Sequence, residues 1–231
     1  MTHSHDAAAC ARKSGESITT RLEKRFVARM LPRIPRWCQT DHLTAMTIVW
    51  GLGNLGFAVA ATHDLRWLLG VAAMIALQYL TDLFDGAVGR SRGTGLVRWG
   101  FYADHLLDFL FMGSLVIAGA IVSPPGLAVW WLALLLISGG FFASSFLDFG
   151  ATGEFAIYHF GIGPTELRGV FIAGIVAVVL TGTGHFVWSV PALTITGGLM
   201  LAALAIRTSR RLRQMDRVAL AETTQAPRQA A

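Results

Sequence analysis

The chain has 231 residues with a formal net charge of +5, and 54% of the residues are hydrophobic while only 14% are charged. Its mean hydropathy is +0.54. The charged share lies well below that of ordinary soluble domains, which excludes that class. The composition predicts an integral membrane protein, and we expect no nucleic acid among its partners.

The N-terminal region is polar. We predict that residues 1–16 form a disordered cytoplasmic tail. Within residues 17–35, apolar side chains recur every four residues among basic ones, at Ile18, Leu22, Phe26 and Met30. This pattern predicts an amphipathic helix in the membrane interface, serving as an anchor or collecting anionic lipid, and we favour the anchor.

Six apolar stretches follow, each long enough to cross about 30 Å of hydrocarbon. One uncharged run, residues 109–147, is split by Ser123-Pro124-Pro125-Gly126 into a hairpin of two spans. The predicted fold is all-α: a polytopic membrane bundle of six transmembrane helices, preceded by the interfacial helix. The membrane domain covers residues 17–206, and a basic cytoplasmic tail covers residues 207–231. The predicted spans are residues 44–62, 65–82, 101–122, 126–147, 167–184 and 186–206.

Basic residues are distributed unevenly over this topology. Eight Lys and Arg residues precede the first span, three lie between spans two and three, one lies between spans four and five, and six follow the sixth. Only Arg66 falls on the opposite side. The positive-inside rule therefore predicts a multi-pass protein of the inner (cytoplasmic) membrane, with both termini facing the cytoplasm.

The densest group of carboxylates inside apolar sequence lies between residues 82 and 108. At about 100° per residue, these acids and nearby glycines occupy one face of each of two successive helices. Carboxylates facing each other across helices repel by about 1 to 4 kcal/mol per pair, so we expect a cation between them. Oxygen donors favour Mg²⁺, Mn²⁺ or Ca²⁺. The first face carries Asp82, Asp85, Gly86 and Gly89, and the second carries Gly100, Asp104 and Asp108.

This spacing resembles the signature of the CDP-alcohol phosphotransferase (CDP-alcohol phosphatidyltransferase) family. The matching pattern is Asp82-x-x-Asp85-Gly86-x-x-Gly89-Arg90, nine residues, then Gly100-x-x-x-Asp104-x-x-x-Asp108. Gly89 stands where the family has alanine, and the intervening stretch is one residue longer than the usual eight or so. The likeness covers roughly residues 17 to 206. It predicts that the cytoplasmic ends of spans two and three form an active site.

The resemblance implies transfer of a phosphatidyl or phospho-alcohol group from a CDP-linked donor to a hydroxyl, with release of CMP. It implies two divalent ions, Mg²⁺ or Mn²⁺, and a set of residues for each part of the site. Asp82, Asp85 and Asp104 would hold the ions, Asp108 would complete the metal site and take the acceptor proton, and Gly86, Gly89 and Arg90 would receive the cytidine nucleotide.

Two further regions are candidates for chemistry. His105 is a second candidate base, although its position about 100° around the helix from Asp104 also fits helix packing. The loop from residue 148 to 168 would face the cytoplasm and line an acceptor pocket. Glu166 and Arg168 are its candidate contacts, with helix-start and headgroup roles as their alternatives.

The substrates and the class of protein have alternatives. The favoured donor is CDP-diacylglycerol and the favoured acceptor a small polar alcohol, but Asp104-His105 also resembles enzymes that transfer from a CDP-aminoalcohol to diacylglycerol. A divalent-cation transporter and a membrane prenyltransferase are the rival classes. Membrane lipids are expected partners, and a homodimer follows from the family likeness alone.

Overall fold

The computed structural model describes residues 18–94, 96–153 and 164–225, and this part of the chain contains helices and no strand. The prediction of an all-α fold is confirmed for it. The predicted tail at residues 1–16 lies outside the described residues. The helices are α1 (Ile18–Met30), α2 (Thr40–Ala61), α3 (Leu68–Arg92), α4 (Val97–Val122), α5 (Ala128–Thr152), α6 (Pro164–Thr181) and α7 (Phe186–Gln225).

Five of these helices, α2, α3, α4, α5 and α7, are long and apolar enough to cross a membrane. They confirm a multi-pass membrane protein. The predicted span at residues 167–184 falls on α6, whose apolar part is Leu167–Thr181. At 1.5 Å per residue this part rises about 22 Å, which is less than the hydrocarbon thickness of about 30 Å. Six spans therefore remain a prediction.

The turn between α3 and α4 places the two halves of the acidic motif opposite each other on adjacent helices. Gly93 follows the last residue of α3 with φ of 62°, a left-handed conformation that glycine adopts without steric cost. The chain then enters α4 at Val97. Because the reversal is short, the C-terminal turns of α3 and the N-terminal turns of α4 lie at the same end of the bundle.

Helix α2 packs closely against both α3 and α4, which make few backbone contacts with each other in the described part of the chain. Buried polar side chains fix this arrangement: Asn54 of α2 is fully buried and donates a hydrogen bond of 2.9 Å to Ser114 Oγ of α4. Space between α3 and α4 is thereby left for polar side chains, with α2 alongside it. The principal apolar core lies elsewhere and includes Leu68, Val71 and Val190.

The segment before α2 is fastened to the C-terminal end of α3 by Arg92. Its guanidinium donates to the backbone carbonyl oxygens of Ile34, Pro35, Arg36 and Cys38. A guanidinium has five N–H donors, so one side chain satisfies several carbonyls that helices do not use. The link from α1 into the bundle is therefore held beside the motif.

Of the two predicted segments that flank the membrane spans, the first agrees with the structure in its helical extent and the second differs. The predicted interfacial helix at residues 17–35 corresponds to α1 and the short 3-10 helix Leu31–Arg33, and Phe26 of α1 packs on Phe84 with ring centroids 5.8 Å apart. Its position in a membrane interface remains a prediction. The predicted basic tail begins at residue 207, yet α7 continues as a helix to Gln225.

Candidate active site

Three carboxylates of the motif meet between α3 and α4. Asp82, Asp104 and Asp108 each offer an oxygen, and these oxygens all lie within 4.8 Å of one another. Asp104 and Asp108 are one turn apart on α4, so both point to the same side of that helix. Each of the three side chains is partly buried. A close set of carboxylate oxygens fits a hard divalent cation such as Mg²⁺ or Mn²⁺.

Asp108 is oriented by a residue that the sequence analysis did not identify. Gln78 of α3, 1% exposed, donates from Nε2 to Asp108 Oδ1 at 2.9 Å. The amide is neutral, so it holds the carboxylate in place without cancelling its charge. Gln78 lies one turn before Asp82, and an amide inside an apolar span, in register with the motif, is the signal that could have identified it.

Asp85 lies outside the group of three and points towards α2. Thr44 donates from Oγ1 to Asp85 Oδ2 at 3.0 Å, and Thr40 donates from Oγ1 to the Asp85 backbone oxygen at 3.1 Å. Both Asp85 and Thr44 are buried. These bonds attach the first turns of α2 to the motif helix. Thr40 precedes the first predicted span and Thr44 is its first residue, and no pattern in the sequence related either of them to Asp85.

Arg168, a predicted acceptor contact, lies against the acidic group. Its Nη2 is 2.7 Å from Asp82 Oδ2, and the side chains are 17% and 27% exposed. The structure therefore brings the start of α6 to the same place as α3 and α4. Glu166, the other predicted acceptor contact, lies in α6, but its side chain is outside the described residues. The four motif carboxylates exceed this one guanidinium in charge, which leaves the described site favourable for a cation.

Gly86, Gly89 and Arg90 lie towards the C-terminal end of α3, and Gly100 lies in the first turn of α4. Arg90 is exposed and folds back over Gly86, where an added Cβ would meet Arg90 Nη1 at 3.0 Å. Gly89 is buried. At Gly100 an added Cβ would meet no other part of the described structure within 4 Å beyond its chain neighbours and its own helix backbone. The surface near Arg90 and Gly100 can therefore be approached closely by a ligand.

His105 is set into an aromatic group between α4 and α5. Its Nδ1 lies 2.6 Å from the carbonyl oxygen of Phe101, and its ring centroid is 4.3 Å from Phe101 and 5.7 Å from Phe146. A carbonyl accepts only, so this contact requires a proton on Nδ1. His105 Nδ1 is also 3.9 Å from Asp104 Oδ2. The ring contacts with Phe101 and Phe146 fit the packing role, while the proton on Nδ1 leaves Nε2 as the basic nitrogen, so the role of base stays a prediction.

Comparison with known proteins points to one family. A family profile described as CDP-alcohol phosphatidyltransferase matches residues 40–208, a range that includes the whole acidic site. The inner membrane protein YnjF of Escherichia coli (strain K12) is 39% identical over 108 residues. That alignment covers 44% of this chain and 50% of YnjF, so the chain matches half the length of this relative.

Proposed function

The chain belongs to the CDP-alcohol phosphatidyltransferase family, and we propose that it is an enzyme of phospholipid biosynthesis. In this proposal it moves a phosphatidyl group from CDP-diacylglycerol to the hydroxyl of a small polar alcohol and releases CMP. The observation that carries the proposal is the meeting of Asp82, Asp104 and Asp108 oxygens within 4.8 Å in a multi-pass membrane protein.

The proposed reaction exchanges one phosphorus–oxygen bond for another. The acceptor oxygen forms a bond to the phosphorus of the phosphatidyl group, and the bond from that phosphorus to the CMP oxygen breaks. The acceptor proton passes to Asp108. A carboxylate within hydrogen-bond reach of the attacking hydroxyl is a better base than bulk water. The bond from Gln78 to Asp108 Oδ1 supports this role because it fixes the direction of the carboxylate.

Two divalent ions, Mg²⁺ or Mn²⁺, would supply the positive charge that offsets the pyrophosphate and the departing CMP. The fit rests on the donor set, since the four side chains offer only carboxylate oxygens. Asp85 would join the other three from the side of α2, where its Oδ2 accepts a hydrogen bond from Thr44 and its Oδ1 accepts one from the backbone N–H of Gly86. The residues proposed to hold the ions are Asp82, Asp85, Asp104 and Asp108.

The exposed end of α3 is the proposed place for the nucleotide. Arg90 supplies a permanent positive charge beside Gly86, and Gly86 leaves no side chain between that charge and the helix backbone. An arginine fork is suited to a phosphate of the CDP group. In the proposal, Gly86, Gly89 and Arg90 bind the cytidine nucleotide, while Glu166 and Arg168 contribute to the acceptor side.

The extent of the motif along α3 and α4 favours a transferase over the transporter alternative. The motif runs from Asp82, near the middle of α3, to Arg90, close to the end of that helix, and it resumes at Gly100 in the first turn of α4. It therefore reaches the end of the bundle where the Gly93 turn connects the two helices. A transport site is expected near the bilayer midplane on broken helices. A motif that extends to the helix ends and their connecting turn instead suits the meeting of a water-soluble alcohol with a lipid-linked nucleotide.

A donor and acceptor panel tests the proposed activity. We expect purified protein with Mg²⁺ to release CMP from CDP-diacylglycerol when glycerol phosphate, serine or an inositol phosphate is present. CDP-choline and CDP-ethanolamine with diacylglycerol form the second arm, and activity only there would move the assignment to the aminoalcohol transferases. Absence of CMP release in both arms would contradict the proposed function.

The proposed orientation, with the site and both termini in the cytoplasm of an inner membrane, requires six crossings. We expect single cysteines at Trp37 and Gln214 to react with a membrane-impermeant reagent only from inside, and one at Pro125 only from outside. All three side chains are exposed, and Cys10 and Cys38 are first replaced by serine. Labelling of sealed vesicles of both orientations measures this. Labelling of positions 37 and 214 from opposite sides would indicate five crossings and contradict the proposal.

A further inference from the structure

A side chain of α1 joins α3 to α6. Glu23 Oε1 accepts a hydrogen bond of 2.6 Å from Tyr79 Oη of α3 and one of 3.1 Å from Thr165 Oγ1 of α6. The same oxygen accepts both bonds. Charged acceptors make the stronger hydrogen bonds. The carboxylate of Glu23 therefore fixes two hydroxyls that belong to different helices.

These two hydroxyls lie one turn from the pair that borders the acidic group. Tyr79 precedes Asp82 by three residues on α3, and Thr165 precedes Arg168 by three residues on α6. Residues three apart on a helix are neighbours on its surface. The bridge through Glu23 and the ion pair between Asp82 and Arg168 thus connect the same two helices at adjacent turns.

Tyr79 also touches Arg168 directly. The guanidinium carbon of Arg168 lies 5.2 Å from the centroid of the Tyr79 ring. The face of an aromatic ring attracts a cation at this distance. Because Glu23 holds the phenol oxygen, the ring cannot move away from Arg168 without breaking a hydrogen bond. The order of contacts is Glu23 to Tyr79, Tyr79 to Arg168, and Arg168 to Asp82.

From this series of contacts we infer that α1 helps to set the geometry of the acidic site, with Glu23 and Tyr79 as positioning residues for Asp82. Glu23 locks the ring of Tyr79, the ring and the first turn of α6 locate Arg168, and Arg168 orients the Asp82 carboxylate. The inference rests on the proposed function for the binding of a divalent ion at Asp82. Its new content is that a helix outside the acidic motif sets the geometry of that motif.

Tyr79→Phe is the most direct test because it changes no charge and keeps the ring beside Arg168. We expect it to weaken Mn²⁺ binding about tenfold, the scale for loss of a group that orients a metal ligand. Free Mn²⁺ is measured by electron paramagnetic resonance with the purified full chain and no nucleotide. The matched control is Tyr102→Phe, since Tyr102 of α4 is 67% exposed; its binding should equal that of wild type.

Variants of Glu23 separate positioning from simple attachment. Glu23→Ala should weaken Mn²⁺ binding as Tyr79→Phe does. The double variant should bind Mn²⁺ at least as tightly as the single variant with the lower affinity, because both changes interrupt the same series of contacts to Asp82. Glu23→Gln keeps an acceptor oxygen for both hydroxyls and should bind Mn²⁺ within about twofold of wild type. A cooperative thermal unfolding transition, measured under the conditions of the binding experiment, shows that each variant is folded. If Tyr79→Phe does not fold, the comparison of Glu23→Ala with Glu23→Gln decides.

The outcomes distinguish this inference from the proposed function. Mn²⁺ binding in Tyr79→Phe that is equal to or tighter than wild type would overturn the inference, even in a protein that releases CMP. Tighter binding would mean that Arg168 competes with the ion for Asp82. Conversely, if Tyr79→Phe binds Mn²⁺ more weakly as expected but the wild-type protein acts on no CDP-linked donor, the positioning role is retained and the proposed activity is rejected. A wild-type protein that binds no Mn²⁺ would overturn both.

Discussion

Asp104→Asn is expected to lower CMP release by about a thousandfold at saturating Mg²⁺, because charge stabilisation by a bound divalent ion is worth several kcal/mol. Asp104 is one of the three carboxylates that meet between α3 and α4. The amide keeps the size of the side chain but removes a charged ligand. Initial rates of CMP release with purified protein measure the effect.

The same change should not unfold the protein. Without divalent ions, removing one of several mutually repelling carboxylates is expected to leave the melting temperature unchanged or slightly higher. Asp216→Asn, a change of the same type at an exposed position of α7, should retain full activity. Wild-type activity should also disappear with excess chelator and return with Mg²⁺ or Mn²⁺. A near-wild-type rate for Asp104→Asn would contradict the metal assignment.

Asp108→Asn is expected to lower turnover by about a hundredfold or more, the scale for loss of a general base, while binding of the CDP-linked donor persists. Turnover is compared with that of His105→Gln at saturating donor and metal. His105 should be the milder site, because its ring packs on Phe101 and Phe146 between α4 and α5.

Two outcomes would contradict the assignment of Asp108 as base. The first is the reverse order, in which His105→Gln is the slower enzyme. The second is recovery of Asp108→Asn at high Mg²⁺, which would show that Asp108 acts chiefly as a metal ligand. Gln78→Leu serves as an intermediate control: it leaves the carboxylate in place but removes the hydrogen bond to Oδ1, so a smaller loss of turnover is expected.

The acidic site was largely predictable because its information is local. Helical periodicity placed Asp104 and Asp108 on one face of a helix, and the short connection between the two helices predicted that this face lies opposite Asp82. The structure confirms that these three side chains meet. Periodicity could not show that Asp85 points to Thr44, because that contact depends on how α2 packs against α3.

The support of the site was not predictable for the same reason. Glu23, Tyr79 and Thr165 come from three helices that are far apart in sequence, and each of them is individually compatible with a surface or helix-start role. Their contact exists only because α1 and α6 pack on neighbouring parts of α3. A single sequence contains no periodic signal for such a junction.

Helix ends were predicted less well than membrane spans. Hydropathy marks where a chain leaves the apolar layer, whereas a helix continues as long as its backbone bonds and its residues allow. α7 therefore continues past residue 206 through a basic segment to Gln225, and α3 continues past residue 82 to Arg92. The extension of α3 carries the motif from Asp85 to Arg90, so it determines where the site lies.

The most direct measurement of the central claim is the joint yield of CMP and new phospholipid from CDP-diacylglycerol and an alcohol acceptor, with purified protein in lipid vesicles. We predict equal molar amounts of both products with Mg²⁺ or Mn²⁺, and neither product with excess chelator or with Asp104→Asn. Divalent-cation uptake into the vesicles without formation of either product would contradict the account, as would equal product formation in the presence of chelator.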